Sequence, residues 1–107
     1  MTFDEYQAKA KATALPTGDD LMYRSLGLVS EAGEVAGKIK KWIRDQDSDP
    51  AKLDKKAIID ELGDVLWYVA MLAELMDSSL AQVADNNIDK LSHRAKEGKI
   101  KGSGDNR

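Results

Sequence analysis

Apolar residues in this chain recur at the three- and four-residue steps of a helix, and no stretch shows the alternation of a strand. After Asp20, residues Leu28, Ala32, Val35, Ile39 and Trp42 fall on one stripe. That pattern predicts a helix that starts at Asp19 or Asp20, either of which can cap it, and runs to about residue 44. Ahead of it, Thr2 and Glu5 have capping-box spacing and open a helix to about residue 14, which Pro16 and Gly18 break. Behind it, "RDQDSDP" reads as a charged loop. Asp49 and Pro50 then serve as cap and first-turn residue of a third helix reaching about residue 76. Ser79 and Gln82 make another capping box, and the last helix covers about 80–96. The remaining "GKIKGSGDNR" is Gly-rich and reads as a tail that is mobile unless docked.

Four helices with short connections predict an all-α fold, an antiparallel four-helix bundle-like protomer. The boundaries expected are one all-α domain over 1–97 and a tail over 98–107. The third helix carries no charge between 65 and 73 and is apolar on every side there. One small bundle cannot cover all faces of such a helix, so the protomer is expected to oligomerise through its apolar helices, as a homodimer or homotetramer.

Composition narrows the function classes. A net charge of -3 offers no basic surface for a phosphate backbone, so nucleic acid is not an expected partner. With no cysteine and His93 as the only histidine, thiolate metal sites are excluded and imidazole sites nearly so. His93 itself reads as a surface residue. No signal-peptide pattern opens the chain, and no apolar run reaches the roughly 18 residues of a membrane span, which leads to a cytoplasmic reading with no membrane partner.

What composition leaves unexplained is a set of carboxylates. Glu61 and Asp64 stand three residues apart at the threshold of the apolar helix, on the face that continues through Tyr68, Met71, Leu72 and Leu75. Glu31 and Glu34 repeat the spacing on the second helix, and Glu31 lies roughly 60° from the centre of its apolar stripe. Packed together, four acids repel one another and resist burial unless a cation joins them. A hard divalent ion such as Mg²⁺ suits oxygen ligands and bridges to phosphates, so the pattern fits hydrolysis of a phosphate ester or anhydride. Each pair alone also fits a solvated helix face, with Glu34 bonded to Lys38. A di-iron bundle would require Glu-x-x-His motifs, and there are none.

The segments "LVSEAGEVAGKIKK", "DELGDVLWYVAMLAEL" and "NNIDKLSHR" closely resemble the MazG-like family of all-α nucleoside triphosphate pyrophosphohydrolases. The family is marked by ExxE, a spacer, then ExxD; here these are Glu31-x-x-Glu34 and Glu61-x-x-Asp64, and the likeness covers about residues 20–107. The resemblance implies conversion of a nucleoside triphosphate to the monophosphate and pyrophosphate, by water attack at the α-phosphorus, in the service of nucleotide-pool cleaning. It implies that Glu31, Glu34, Glu61 and Asp64 hold Mg²⁺, for which Mn²⁺ can substitute, and that Glu31 orients or deprotonates the water.

Asn87, Lys90 and Arg94 match the family's N-x-x-K-L-x-x-R segment and line one helix face, where an amide and two cations can grip phosphate oxygens. The alternative for the two cations is pairing with Asp85 or Asp89. Lys38 and Lys41 are further phosphate candidates, and Arg107 could close the tail over the phosphates. Trp42 is a candidate for stacking on the base, whereas Trp67 reads as core. Two other functions stay open at this point: phosphoribosyl-ATP pyrophosphohydrolase, within the same superfamily, and a non-enzymatic helical oligomerisation module with exposed acids.

Overall fold

The structure is a computed structural model that describes residues 1–106. It contains α1 (Phe3–Lys11), α2 (Asp20–Gln46), a single 3₁₀ turn (Pro50–Lys52), α3 (Lys55–Leu75) and α4 (Leu80–Lys96), with no strand among the described residues.

Local capping chemistry explains most of the boundaries. Thr2 Oγ1 accepts from the Glu5 N–H at 3.1 Å and Glu5 Oε1 accepts from the Thr2 N–H at 3.2 Å, the reciprocal box expected. The helix it opens ends at Lys11, short of residue 14, because Thr13 turns back and its hydroxyl donates to the Ala10 carbonyl at 2.7 Å. Asp19 caps α2 through the Met22 N–H. Ser79 accepts from the Gln82 N–H, but Gln82 Nε2 donates to Asn86 Oδ1 at 2.7 Å, so only half of that box forms.

One cap belongs to a different element than expected. Asp49 and Pro50 open the 3₁₀ turn, not α3. The Asp49 carbonyl accepts both the Lys52 N–H and Trp42 Nε1–H, at 2.9 and 2.8 Å, which closes a single turn against the end of α2. Leu53 is then extended, and Asp54 caps α3 through the Ala57 N–H at 3.0 Å.

Helices α2 and α3 run antiparallel over most of their length. Arg24 meets Met71, Gly27 meets Tyr68, Glu31 meets Asp64 and Lys38 meets Glu61, so partners descend on α3 as residues climb on α2. Helices α1 and α4 rest on the other end of α3 and on each other, with little contact between α4 and α2. Their junction forms the core, where Ala10, Ala70, Met71 and Leu80 are buried and Tyr6, Leu66 and Trp67 pack alongside.

Buried Gln7 ties three elements together there. Its Oε1 accepts the Leu80 N–H at 2.7 Å, and its Nε2 donates to Glu74 Oε2 at 3.1 Å and to the Ser78 carbonyl at 3.4 Å. The charge-free part of α3 is therefore packed by α1, α2 and α4 of its own chain, with Ala70, Met71 and Ala73 buried and its other residues partly covered. Uncovered apolar surface includes Met22, Leu26 and Val29 on α2 and Ile59 and Leu62 on α3.

Candidate metal centre and its surroundings

The antiparallel seam between α2 and α3 brings the two acidic motifs face to face. One carboxylate oxygen each from Glu31, Glu61 and Asp64 lie within 4.8 Å of one another. Glu31 and Glu61 are half-buried, while Asp64 is exposed. Burial raises the Glu31 pKa; a hydrogen bond with Glu61 and the charges of Asp64, Glu61 and Glu34 raise it further. Glu31 therefore holds a proton more tightly than a free carboxyl, and the nearest cation, Lys38, stands on the Glu61 side of the cluster. Glu34 adds to the field at Glu31, but it points outward and is not one of the three carboxylates that converge.

These residues fit a divalent cation by their chemistry. All donors are hard oxygens, and oxygens on opposite sides of an octahedral Mg²⁺ stand about 4 Å apart, close to the span observed. A cation would also relieve the like-charge repulsion that raises the Glu31 pKa. Glu31, Glu61 and Asp64 would hold it, with Glu34 beside them.

Beside the acids is a cavity of about 390 Å³ lined by Thr13, Glu31, Asp64, Trp67 and Tyr68. Trp67 combines two roles, packing against the core and forming a cavity wall, where its Nε1 donates to Thr13 Oγ1 at 2.9 Å. Tyr68 and Thr13 were not singled out from the sequence as site residues. The i, i+4 step from Asp64 could have identified Tyr68; Thr13 comes from a distant segment and carries no such signal.

Other candidates are distributed around this centre. Lys38 Nζ lies 3.5 Å from Glu61 Oε1, across the helix pair; the intrahelical partner Glu34 is not the one it takes. Lys38, Lys41 and Trp42 line a second cavity of about 260 Å³ toward the loop end of the α2–α3 pair, with Ile58 and Asp54 opposite. The bond to Asp49 fixes the Trp42 indole in that wall.

Asn87, Lys90 and Arg94 share a face of α4 but do not line the acid cavity of their own chain. The carboxylate facing the two cations is Asp105 of the tail; Asp85 and Asp89 do not take that place. Lys90 Nζ is 3.0 Å from Asp105 Oδ1, and Arg94 reaches Asp105 Oδ1, the Asp105 carbonyl and the Gly104 carbonyl at 3.3, 3.2 and 3.3 Å. These two cations, Lys90 foremost, hold the Asp105 carboxyl below the usual range. Arg94 is buried and its Nε lacks a hydrogen-bond partner. The tail is therefore docked on α4, and the reading of Arg107 lies outside the described residues. His93 is exposed, as expected, with Glu97 Oε1 3.1 Å from Nε2.

An all-α chain whose antiparallel helices bring an ExxE and an ExxD motif to one seam defines a helical protein built around an acidic cluster. Comparison with known proteins identifies the family: the MazG nucleotide pyrophosphohydrolase domain matches residues 23–98, and the chain belongs to that family. Over 114 aligned positions the chain is 44% identical to the "Gene 37 protein" of Mycobacterium phage L5, with the whole of both chains covered. No solved structure matches.

Proposed function

We propose that this protein is a Mg²⁺-dependent pyrophosphohydrolase of nucleoside triphosphates, giving the (d)NMP and pyrophosphate. The observation that carries this reading is the convergence of Glu31, Glu61 and Asp64 beside a cavity with aromatic walls, in a chain of the MazG family. The bond formed joins the water oxygen to the α-phosphorus, and the bond broken links that phosphorus to the bridging oxygen of the β-phosphate. The divalent ion, when bound, neutralises the triphosphate and polarises the phosphorus.

Each role falls to a residue of this chain. Glu31 orients the water and takes its proton, a role suited to a half-buried carboxylate at the edge of the cavity. Glu61 and Asp64 complete the ligand set in place, and Glu34, outward-facing in the metal-free chain, would turn in to join them. Trp67 and Tyr68 wall the space beside the reacting phosphate and limit water there. Lys38, half-exposed next to Glu61, contacts phosphate when substrate enters, and Trp42 flanks it. Asn87, Lys90 and Arg94 supply further phosphate contacts.

Because α4 does not line the acid cavity of its own chain, those contacts fit best with a second copy completing the site. Assembly as a homodimer or homotetramer is also supported by surface area. The accessible surface of 7792 Å² exceeds the roughly 5,900 Å² typical of a folded monomer of this mass. The apolar row Met22, Leu26 and Val29 recurs at steps of four and three on the open side of α2. Among the described residues no helix is long and apolar enough to cross a membrane. A cytoplasmic nucleotide pool is the setting that suits the proposed substrate.

Product analysis tests the reading. Protein incubated with a panel of standard and modified nucleoside triphosphates in ¹⁸O-labelled water is expected to release pyrophosphate only with Mg²⁺, and to place the label in the monophosphate. Release of diphosphate and phosphate, or label in pyrophosphate, would overturn the assignment of the bond cleaved. No turnover and no metal binding would leave the helical oligomerisation module as the better account.

A further inference from the structure

Gly27 and Tyr68 form the rung next to the carboxylates. Gly27 stands four residues before Glu31, and Tyr68 stands four after Asp64, so on antiparallel helices the two pairs are neighbours along one seam. The Tyr68 ring occupies the space that a side chain at position 27 would need. A Cβ there would overlap ring atoms Cε1 and Cζ and stand 2.8 Å from Cδ1, whereas non-bonded carbons settle at about 3.5–4 Å.

Two aromatic rings bracket the Tyr68 ring, and its open side is the cavity beside the acids. Trp67 meets it edge-on, with centroids 4.9 Å apart and planes at 81°, and Tyr23 flanks it with centroids 6.5 Å apart. Gly33 and Gly37 in the same helix behave differently, since an added Cβ at either would meet nothing within 4 Å. A glycine inside a helix is destabilising relative to alanine. Of these three, position 27 alone offsets that cost with a close approach between helices.

We propose that Gly27 and Tyr68 are positioning residues that hold α2 and α3 at the separation at which Glu31, Glu61 and Asp64 can share one divalent ion. The proposal rests on the metal reading above. The Tyr68 ring is the spacer and Gly27 is the notch that receives it. A side chain in the notch turns the ring out into the cavity or pushes the helices apart one turn from the cluster, and either change removes the spacer that keeps Glu31 near the two acids of α3. Small divalent ions accept little variation in oxygen distance, so a shift of this kind is felt first as lost affinity.

Mn²⁺ binding, followed by the electron paramagnetic resonance signal of the free ion, tests this without any substrate. Gly27→Ala is expected to weaken binding about tenfold or more, the usual scale for residues that orient metal ligands, while circular dichroism shows helix content retained. Gly33→Ala is expected to bind like wild type. Tyr68→Ala is expected to weaken binding, and adding Gly27→Ala to it to cause no further loss, because the ring that clashes is gone. Tyr68→Phe is expected to keep wild-type affinity, since the ring and not the hydroxyl sets the spacing. This pair of Tyr68 variants decides the question even where Gly27→Ala does not fold.

Wild-type affinity in Gly27→Ala, losses that multiply in the double variant, or equal loss in Tyr68→Phe and Tyr68→Ala would overturn the positioning role while leaving the metal site standing. A wild-type protein that does not bind Mn²⁺ would overturn both.

Discussion

Replacing Glu31 by glutamine should stabilise the metal-free protein and destabilise it relative to wild type once Mg²⁺ is present. Glu31 faces the carboxylates of Glu61 and Asp64 within 4.8 Å. Two like charges at that distance repel by about 1 kcal/mol in a water-like medium and about 3.5 kcal/mol at an effective dielectric constant of 20. Asp64 is exposed and Glu31 only half-buried, so screening places the relief from each carboxylate near the lower bound. A net gain of about 1–2 kcal/mol at pH 7.5 in chelator follows, or roughly 4–12 °C in Tm for a chain of this size.

Saturating Mg²⁺ at a hundred times its Kd would stabilise the wild type by about 2.7 kcal/mol, and the variant, one ligand short, by much less. The order of the two melting temperatures should therefore reverse between chelator and Mg²⁺. Differential scanning calorimetry of both proteins under both conditions reads this directly. A variant that melts at or below wild type in chelator, or a pair that keeps its order in Mg²⁺, would refute the account of the cluster as repelling acids that a cation reconciles.

The remaining predictions draw on other contacts. The raised Glu31 pKa means the folded chain holds a proton that the unfolded chain has released, in a window above the ordinary value of about 4.3. This contribution to the metal-free protein is full below that window and is lost as pH rises through the folded value; melts across the range should show the slope in wild type and not in Glu31→Gln. Asp64→Ala and Glu34→Ala are each expected to reduce pyrophosphate release more than a hundredfold with unchanged circular dichroism, and activity like wild type in either would remove that residue from the ligand set. Gln7→Ala leaves the Leu80 N–H buried without an acceptor and should cost about 2–3 kcal/mol in urea unfolding. Leu26→Glu places a charge in the exposed row of α2 and should shift sedimentation from oligomer to monomer.

What could be read from the sequence depended on local physics. Capping chemistry and the 3.6-residue period act within a turn or two, so four helices, the Thr2–Glu5 box and the two acidic motifs were visible without coordinates. The same locality explains the errors. Asp49–Pro50 is a sound helix start by composition, and only the Trp42 bond to the Asp49 carbonyl turns it into a separate 3₁₀ turn. Asp85 and Asp89 are the near neighbours of Lys90 and Arg94, but a returning tail brings Asp105 to them from 15 and 11 residues away.

The sequence alone determined the helical class and the kind of chemistry, because a residue's type and its place on a helix face are set by its neighbours in the chain. Tertiary structure decided the separation of α2 and α3, and with it which carboxylates converge. It also decided which apolar surface stays open and the role of Gly27. In the sequence, Gly27, Gly33 and Gly37 look alike, and only the Tyr68 ring across the seam distinguishes the first from the others. A distance between helices depends on the side chain each meets from the other, and no pattern within one helix encodes that partner.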